Sequence, residues 1–128
     1  LDGAHNEAAV RKLMDSVRDY FEGKRIVFVM GVLKDKDYSQ MIKDSCSMAA
    51  YVVTVTPPIR DRALSAFALA EEIRQYHTNV TAADSVEEAL EMAMLLAGQD
   101  GVVLAFGSLS YLGAMKKAYE VQTKESGR

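Results

Sequence analysis

Residues 26–30 form an unbroken apolar run, Ile-Val-Phe-Val-Met, closed by Gly31 and followed by a turn that carries Lys34, Asp35, Lys36 and Asp37. A run this short without polar alternation reads as a strand covered on both faces, the situation of a central strand in a parallel sheet. A chain built around such a strand must supply helices to both sides of the sheet. It also delivers a glycine and a cluster of charges to the strand's carboxyl end, where ligands of open α/β sheets sit.

The rest of the chain can be read against that requirement. From Asn6 onward Val10, Leu13, Met14, Val17, Tyr20 and Phe21 recur at three- and four-residue spacing, which predicts a helix with one apolar stripe. Glu22-Gly23-Lys24 stops it, and a strand over 25–30 follows. Ser39 is placed to cap a second helix, whose stripe is Met41, Ile42, Ser45, Cys46 and Ala49. A β-branched strand over 51–55 is closed by Thr56-Pro57-Pro58, because proline cannot continue a central strand. Ser65 opens a third helix with Leu69, Ile73 and Tyr76 inward, and residues 79–82 form a short strand. Ser85 with Glu88 makes a capping box. The helix from there to Ala97 is apolar nearly all round (Leu90, Met92, Met94, Leu95, Leu96) and is therefore expected to be well covered, with Gly98 capping its end. A last strand over 102–106 leads into Gly107-Ser108-Leu109-Ser110, a terminal helix ending near Tyr119, and a polar tail over 123–128.

Strand and helix alternate throughout, without repeats or low-complexity linkers. The expected fold is a Rossmann-like three-layer αβα sandwich around a mostly parallel sheet. At 128 residues the chain makes a single domain. Leu1-Asp2-Gly3 reads as the end of a strand whose beginning is missing, so the chain is expected to be a piece of a longer protein. A net charge of −3 gives no basic footprint for nucleic acid and no polybasic patch for a membrane surface. No apolar run approaches the roughly 18 residues of a membrane span. The single cysteine, Cys46, excludes an internal disulfide and fits a reducing cytoplasm.

In this topology four polar clusters share the carboxyl edge of the sheet: Asp2-Gly3-Ala4-His5-Asn6, the turn over 34–37, the loop over 56–62, and Gly107-Ser108. Asp2 and His5 meet a helix N-terminus, where a carboxylate and an imidazole can bind an ammonium or touch a nucleotide. Equally, Asp2 and Asn6 can simply cap the helix. Lys34 and Lys36 suit a phosphate or carboxylate as point charges, and Asp37 can hold a lysine or cap the second helix. Arg60 and Arg62 offer guanidinium forks to the same anions. Gly107-Ser108 combines close backbone approach with a hydroxyl at a helix start. Solvated surface and N-capping are the competing roles for each of these groups. His77 reads as a surface residue, and Cys46 and the methionines as core.

The familiar phosphate-loop, dinucleotide, metal and nucleophile-elbow motifs are absent. The four clusters taken together nevertheless resemble a known family. Leu1-Asp2-Gly3-Ala4-His5-Asn6, then Gly31-Val32-Leu33-Lys34-Asp35-Lys36-Asp37, then Thr56-Pro57-Pro58 with Arg62-Ala63-Leu64, then Gly107-Ser108-Leu109, are similar to the carboxy-terminal domain of folylpolyglutamate synthase/dihydrofolate synthase, in the Mur ligase superfamily. The match runs in order to about Lys117. Two departures occur: Glu7 stands where the family often has proline, and Ser110 where it has tyrosine.

The resemblance implies a carboxy-terminal domain of an ATP-dependent ligase that adds L-glutamate to dihydropteroate or to folate polyglutamates through an acyl phosphate. It further implies that ATP and magnesium are bound mainly by an amino-terminal domain absent from this chain, and that the domain alone is inactive. By the same analogy Lys34, Ser108 and His5 would bind glutamate. Asp2, His5 and Asn6 would line the interdomain cleft, and Lys36, Asp37 and Arg62 would support the loop. A Mur-type amino-acid ligase of cell-wall synthesis, and a non-catalytic Rossmann-like binding module, are the alternative readings.

Overall fold

The computed structural model describes residues 7–35, 37–58 and 61–107. Nine elements follow one another within them: α1 (Glu7–Tyr20), β1 (Ile26–Gly31), α2 (Tyr38–Ser45) with a 3-10 turn (Cys46–Met48), β2 (Tyr51–Thr54), α3 (Ala66–Ile73), β3 (Val80–Ala82), α4 (Val86–Ala97) and β4 (Val102–Gly107). The four strands are all parallel, in the order β3-β2-β1-β4. The expected α/β architecture is present, with strand ends displaced by one residue from the sequence reading.

The apolar run becomes a strand buried at every position. Its alternate side chains point to opposite sides and seed two separate cores. Ile26, Phe28 and Met30 pack with Val10, Met14 and Val17 of α1, Met41 and Ile42 of α2, and Leu69 and Ile73 of α3. Val27 and Val29 pack instead with Val53, Ala105 and the α4 residues Ala89, Leu90, Ala93 and Ala97. Phe28 meets Phe106 edge-to-face, ring centroids 5.0 Å apart, a geometry worth about 0.5–1.5 kcal/mol beyond the area it buries.

The division of helices follows from connection handedness. The chain steps outward from β1 through α2 to β2 and through α3 to β3, then returns across the sheet through α4 to β4. Crossovers of constant hand place helices on one face while the strand order runs outward and on the other when it reverses. The reversal leaves a topological switch point between β1 and β4, whose carboxyl ends lie side by side.

Local signals account for most boundaries. Ser65 and Ser85 accept hydrogen bonds from the backbone N–H groups of Ala68 and Glu88, as N-caps should. Gly98 ends α4 at φ +76°, a left-handed conformation that glycine adopts without a Cβ penalty. Ser39 does not cap α2: the helix starts at Tyr38, and the Asp37 carboxylate accepts from the Gln40 N–H. Asp44 joins α2 to α1, held by Gln40 Nε2 at 2.9 Å and lying 3.5 Å from Arg11 Nε.

Three apolar assignments need correction. Tyr20 is 79% exposed, because at 3.6 residues per turn it stands about 80° from Val10, on the flank of the stripe. Tyr76 is half exposed: α3 ends at Ile73, helical spacing no longer applies, and the ring instead lies 5.9 Å from the Lys43 ammonium. On α4, Leu95 is 78% exposed and Met94 is at the surface. The face turned to the sheet consists largely of Ala89, Ala93 and Ala97, whose small side chains let the helix approach closely and leave larger ones outside.

His77 is more than a surface residue. Its Nδ1 accepts from the Asn79 N–H at 3.0 Å, so its Nε2 carries the proton and donates to the Ala49 carbonyl at 2.7 Å. The ring thereby ties the end of α3 to the start of β2. Cys46 is 1% exposed, with its sulfur 3.7 Å from Met30 Sδ. Burial pushes its thiol up to about 11, partly offset by the Ser45 hydroxyl. No helix among the described residues is long and apolar enough to cross a membrane.

Candidate functional site at the carboxyl edge

At the switch point Gly31 of β1 is the register partner of Gly107 of β4. Neither glycine is replaceable without consequence. A Cβ on Gly31 would stand 3.0 Å from Val55 Cγ2, 3.1 Å from the Val55 carbonyl oxygen and 3.3 Å from Pro57 Cγ. Gly107 has φ +124°, which disfavours any residue with a side chain. Two strand ends without side chains thus meet in register at the carboxyl edge of the sheet.

The loop leaving β1 is fixed by the loop leaving β2. Lys34 donates its backbone N–H to the Arg62 carbonyl at 2.8 Å, and Leu64 donates to the Val32 carbonyl at 3.0 Å. Together they form a short antiparallel bridge between Leu33 and Ala63. Buried Val32 and Leu33 anchor one side of it. The other side is anchored through α3: Thr56 Oγ1 accepts from the Ala66 N–H at 2.8 Å, and the buried Thr54 hydroxyl donates to the Ala66 carbonyl at 2.7 Å. The polar turn is therefore held by backbone pairing and two threonines.

On this scaffold Arg62 Nη2 lies 2.9 Å from Asp35 Oδ2, with both side chains about half exposed. Lys34 is exposed and forms no ion pair among the described residues. Asp37 is committed to capping α2. Of the residues singled out in the sequence, Lys34, Asp37 and Arg62 are thus gathered at one edge, next to Gly31 and Gly107. Asp2, His5, Asn6, Lys36, Arg60 and Ser108 lie outside the described residues.

Sequence reading missed the pairing of Asp35 with Arg62, 27 residues apart. It also missed the Leu33–Ala63 bridge. The apolar pairs Val32-Leu33 and Ala63-Leu64, each interrupting a polar loop, are the only sequence signal for that bridge. A depression at the opposite, amino end of the sheet, lined by Glu22, Lys24, Arg25 and Asp100, mixes both charges and stands apart from these residues. No group of three or more His, Cys, Asp or Glu among the described residues could hold a metal ion. A magnesium site is not built from them.

The arrangement offers the Lys34 ammonium, exposed and without an ion pair among the described residues, at the carboxyl edge of the sheet beside the Asp35–Arg62 pair. Such an edge suits a small anionic ligand with a carboxylate.

The family described as "Mur ligase, glutamate ligase domain" matches residues 1–109. The dihydrofolate synthase/folylpolyglutamate synthase of Bacillus subtilis (strain 168) is 30% identical over 119 residues, 91% of this chain and 26% of the relative. Mycobacterium tuberculosis folylpolyglutamate synthase complexed with ADP superposes with a TM-score of 0.81 at 25% identity, over 91% of this chain and 28% of that one. E. coli FolC in complex with DHPP and ADP gives a TM-score of 0.81 at 25% identity, over 95% of this chain and 28% of that one. The chain spans about a quarter of the length of these relatives. With a family model matched over most of its length, the chain belongs to the glutamate ligase domain family of the Mur ligases.

Proposed function

We propose that this chain is the glutamate-binding, carboxy-terminal domain of an ATP-dependent ligase that joins L-glutamate to dihydropteroate or to folate polyglutamates. The observation that carries the reading is the glycine pair at the carboxyl ends of β1 and β4 with Lys34 on the loop leaving β1, exposed and without an ion pair among the described residues. The dihydrofolate synthase/folylpolyglutamate synthase of Bacillus subtilis and the folylpolyglutamate synthase of Mycobacterium tuberculosis, both similar to this chain, support it.

In this reading the Lys34 ammonium pairs with a carboxylate of glutamate, and Ser108 hydrogen-bonds the same group. Asp2, His5 and Asn6 face the cleft toward the rest of the enzyme. Lys36, Asp37 and Arg62 support the loop, Asp37 by fixing the start of α2. The domain's contribution to rate is positional: it holds the glutamate amine against the activated folate carboxyl group. Nucleotide binding has support in the ADP complexes of the relatives. ATP and magnesium are assigned mainly to the amino-terminal part of the whole enzyme, as the family resemblance implies. A cytoplasmic location is part of the reading, in keeping with folate synthesis and with the buried thiol of Cys46.

The test is substrate choice by the whole enzyme that carries this domain. Glutamate incorporation with dihydropteroate or a folate as acceptor is expected. Turnover with a muramyl peptide and none with either pterin acceptor would replace this reading with that of a cell-wall ligase.

A further inference from the structure

Thr54 ends β2 and Thr56 follows it by two residues, and both hydroxyls turn to the same residue of α3. The buried Thr54 hydroxyl donates to the Ala66 carbonyl at 2.7 Å, and Thr56 Oγ1 accepts from the Ala66 N–H at 2.8 Å. Ala66 is the first residue of the helix, so its N–H has no partner inside it. The N-cap Ser65 serves a different group, the Ala68 N–H at 3.1 Å. A helix that already has its cap is thus pinned a second time, to the end of the neighbouring strand. Between Thr56 and Ala66 the chain carries Arg62 and Leu64, whose backbone groups hold the loop leaving β1. The Arg62 carbonyl accepts from the Lys34 N–H, and the Leu64 N–H donates to the Val32 carbonyl. Where Ala66 is held therefore decides where the Lys34 backbone is held.

We infer that Thr54 and Thr56 are positioning residues that clamp Ala66 and so hold the Lys34 ammonium where it meets an incoming carboxylate. The inference rests on the glutamate-binding role given to Lys34 above. Both threonines act through backbone: from Ala66 to the Leu33–Ala63 bridge, and from the bridge to Lys34. Loss of either hydroxyl lowers the population of the held loop. Affinity for a ligand that needs the held loop falls in proportion to that population. The hydroxyl is the essential group, and serine supplies it where valine, of similar shape, does not.

The experiment is steady-state kinetics of the whole enzyme, comparing the wild type with Thr56→Val, Thr56→Ser, Thr54→Val, Thr54→Ser and Lys34→Ala, beside thermal unfolding of each. Thr56 is exposed, so its valine variant keeps the fold and is the decisive one. With Thr56→Val the KM for L-glutamate rises by about fivefold, the equilibrium shift that one lost hydrogen bond produces, while the acceptor KM stays within about twofold. Thr54→Val moves the glutamate KM in the same direction, and both serine variants stay near the wild-type value. A merely structural role would lower the unfolding temperature without separating the two KM values. An unchanged glutamate KM in Thr56→Val, an equal rise for both substrates, or a serine variant no better than valine overturns the inference. If Lys34→Ala raises the glutamate KM in the same series, the glutamate-site reading stands even when the threonine inference fails. If Lys34→Ala is silent as well, both fall.

Discussion

Gly31 and Gly107 are partners in register across β1 and β4, at the one place where the strand order reverses. The pair determines what can happen at this edge. A side chain on Gly31 would run into Val55 and Pro57, and at Gly107 the backbone, with φ +124°, disfavours one.

Gly31→Ala therefore lowers stability by about 1–3 kcal/mol, the cost of forcing a methyl group into a packed core. Two of the three contacting atoms are a backbone oxygen and a ring carbon of proline, neither of which moves aside easily. Urea unfolding checks this: the midpoint falls while the slope is retained.

Ser85→Ala removes the acceptor for the Glu88 N–H at the start of α4 and is expected to cost about 1 kcal/mol. Ser39→Ala serves as the control, since Asp37 rather than Ser39 caps α2, and should leave stability nearly unchanged. Thermal unfolding of the two variants distinguishes them.

The Cys46 thiol, raised from 9.0 to about 11 in the folded state, makes stability fall at alkaline pH. Below pH 9 both states hold the proton and the group contributes no pH dependence. Between 9 and about 11 the unfolded chain releases the proton while the folded one retains it, so stability declines, by no more than about 3 kcal/mol over that window. The Cys46→Ala variant should lack this part of the pH profile. At pH 8 the native thiol should resist a thiol reagent that modifies the urea-unfolded chain promptly.

The fold was legible because its strongest element needs no context: five apolar residues before a glycine can hardly be anything but a central strand. Caps at Ser65, Ser85 and Gly98 were equally local. The errors at Tyr20, Tyr76 and Leu95 share one cause. Periodicity tells which side chains share a face. It does not tell how far that face extends past a helix end, or whether alanines will take the buried side. At the edge, the sequence placed Lys34, Asp37 and Arg62 together through topology alone. The Asp35–Arg62 pair remained hidden, because a turn with two aspartates and two lysines permits several pairings. The choice among them is made by the backbone bridge between Leu33 and Ala63, which brings Arg62 to Asp35 across 27 residues of sequence.

The most direct test of the glutamate site is the KM for L-glutamate of the whole enzyme with Lys34→Ala, measured beside the KM for its folate acceptor. A lost charge-assisted contact of this kind is worth about 1.5–3 kcal/mol, so the glutamate KM should rise roughly tenfold or more and the acceptor KM should hold. The rise should shrink as salt is added, because an exposed ammonium–carboxylate pair is screened. A glutamate KM equal to the wild-type value, or an equal rise for both substrates, would contradict the assignment of Lys34 to the glutamate carboxylate.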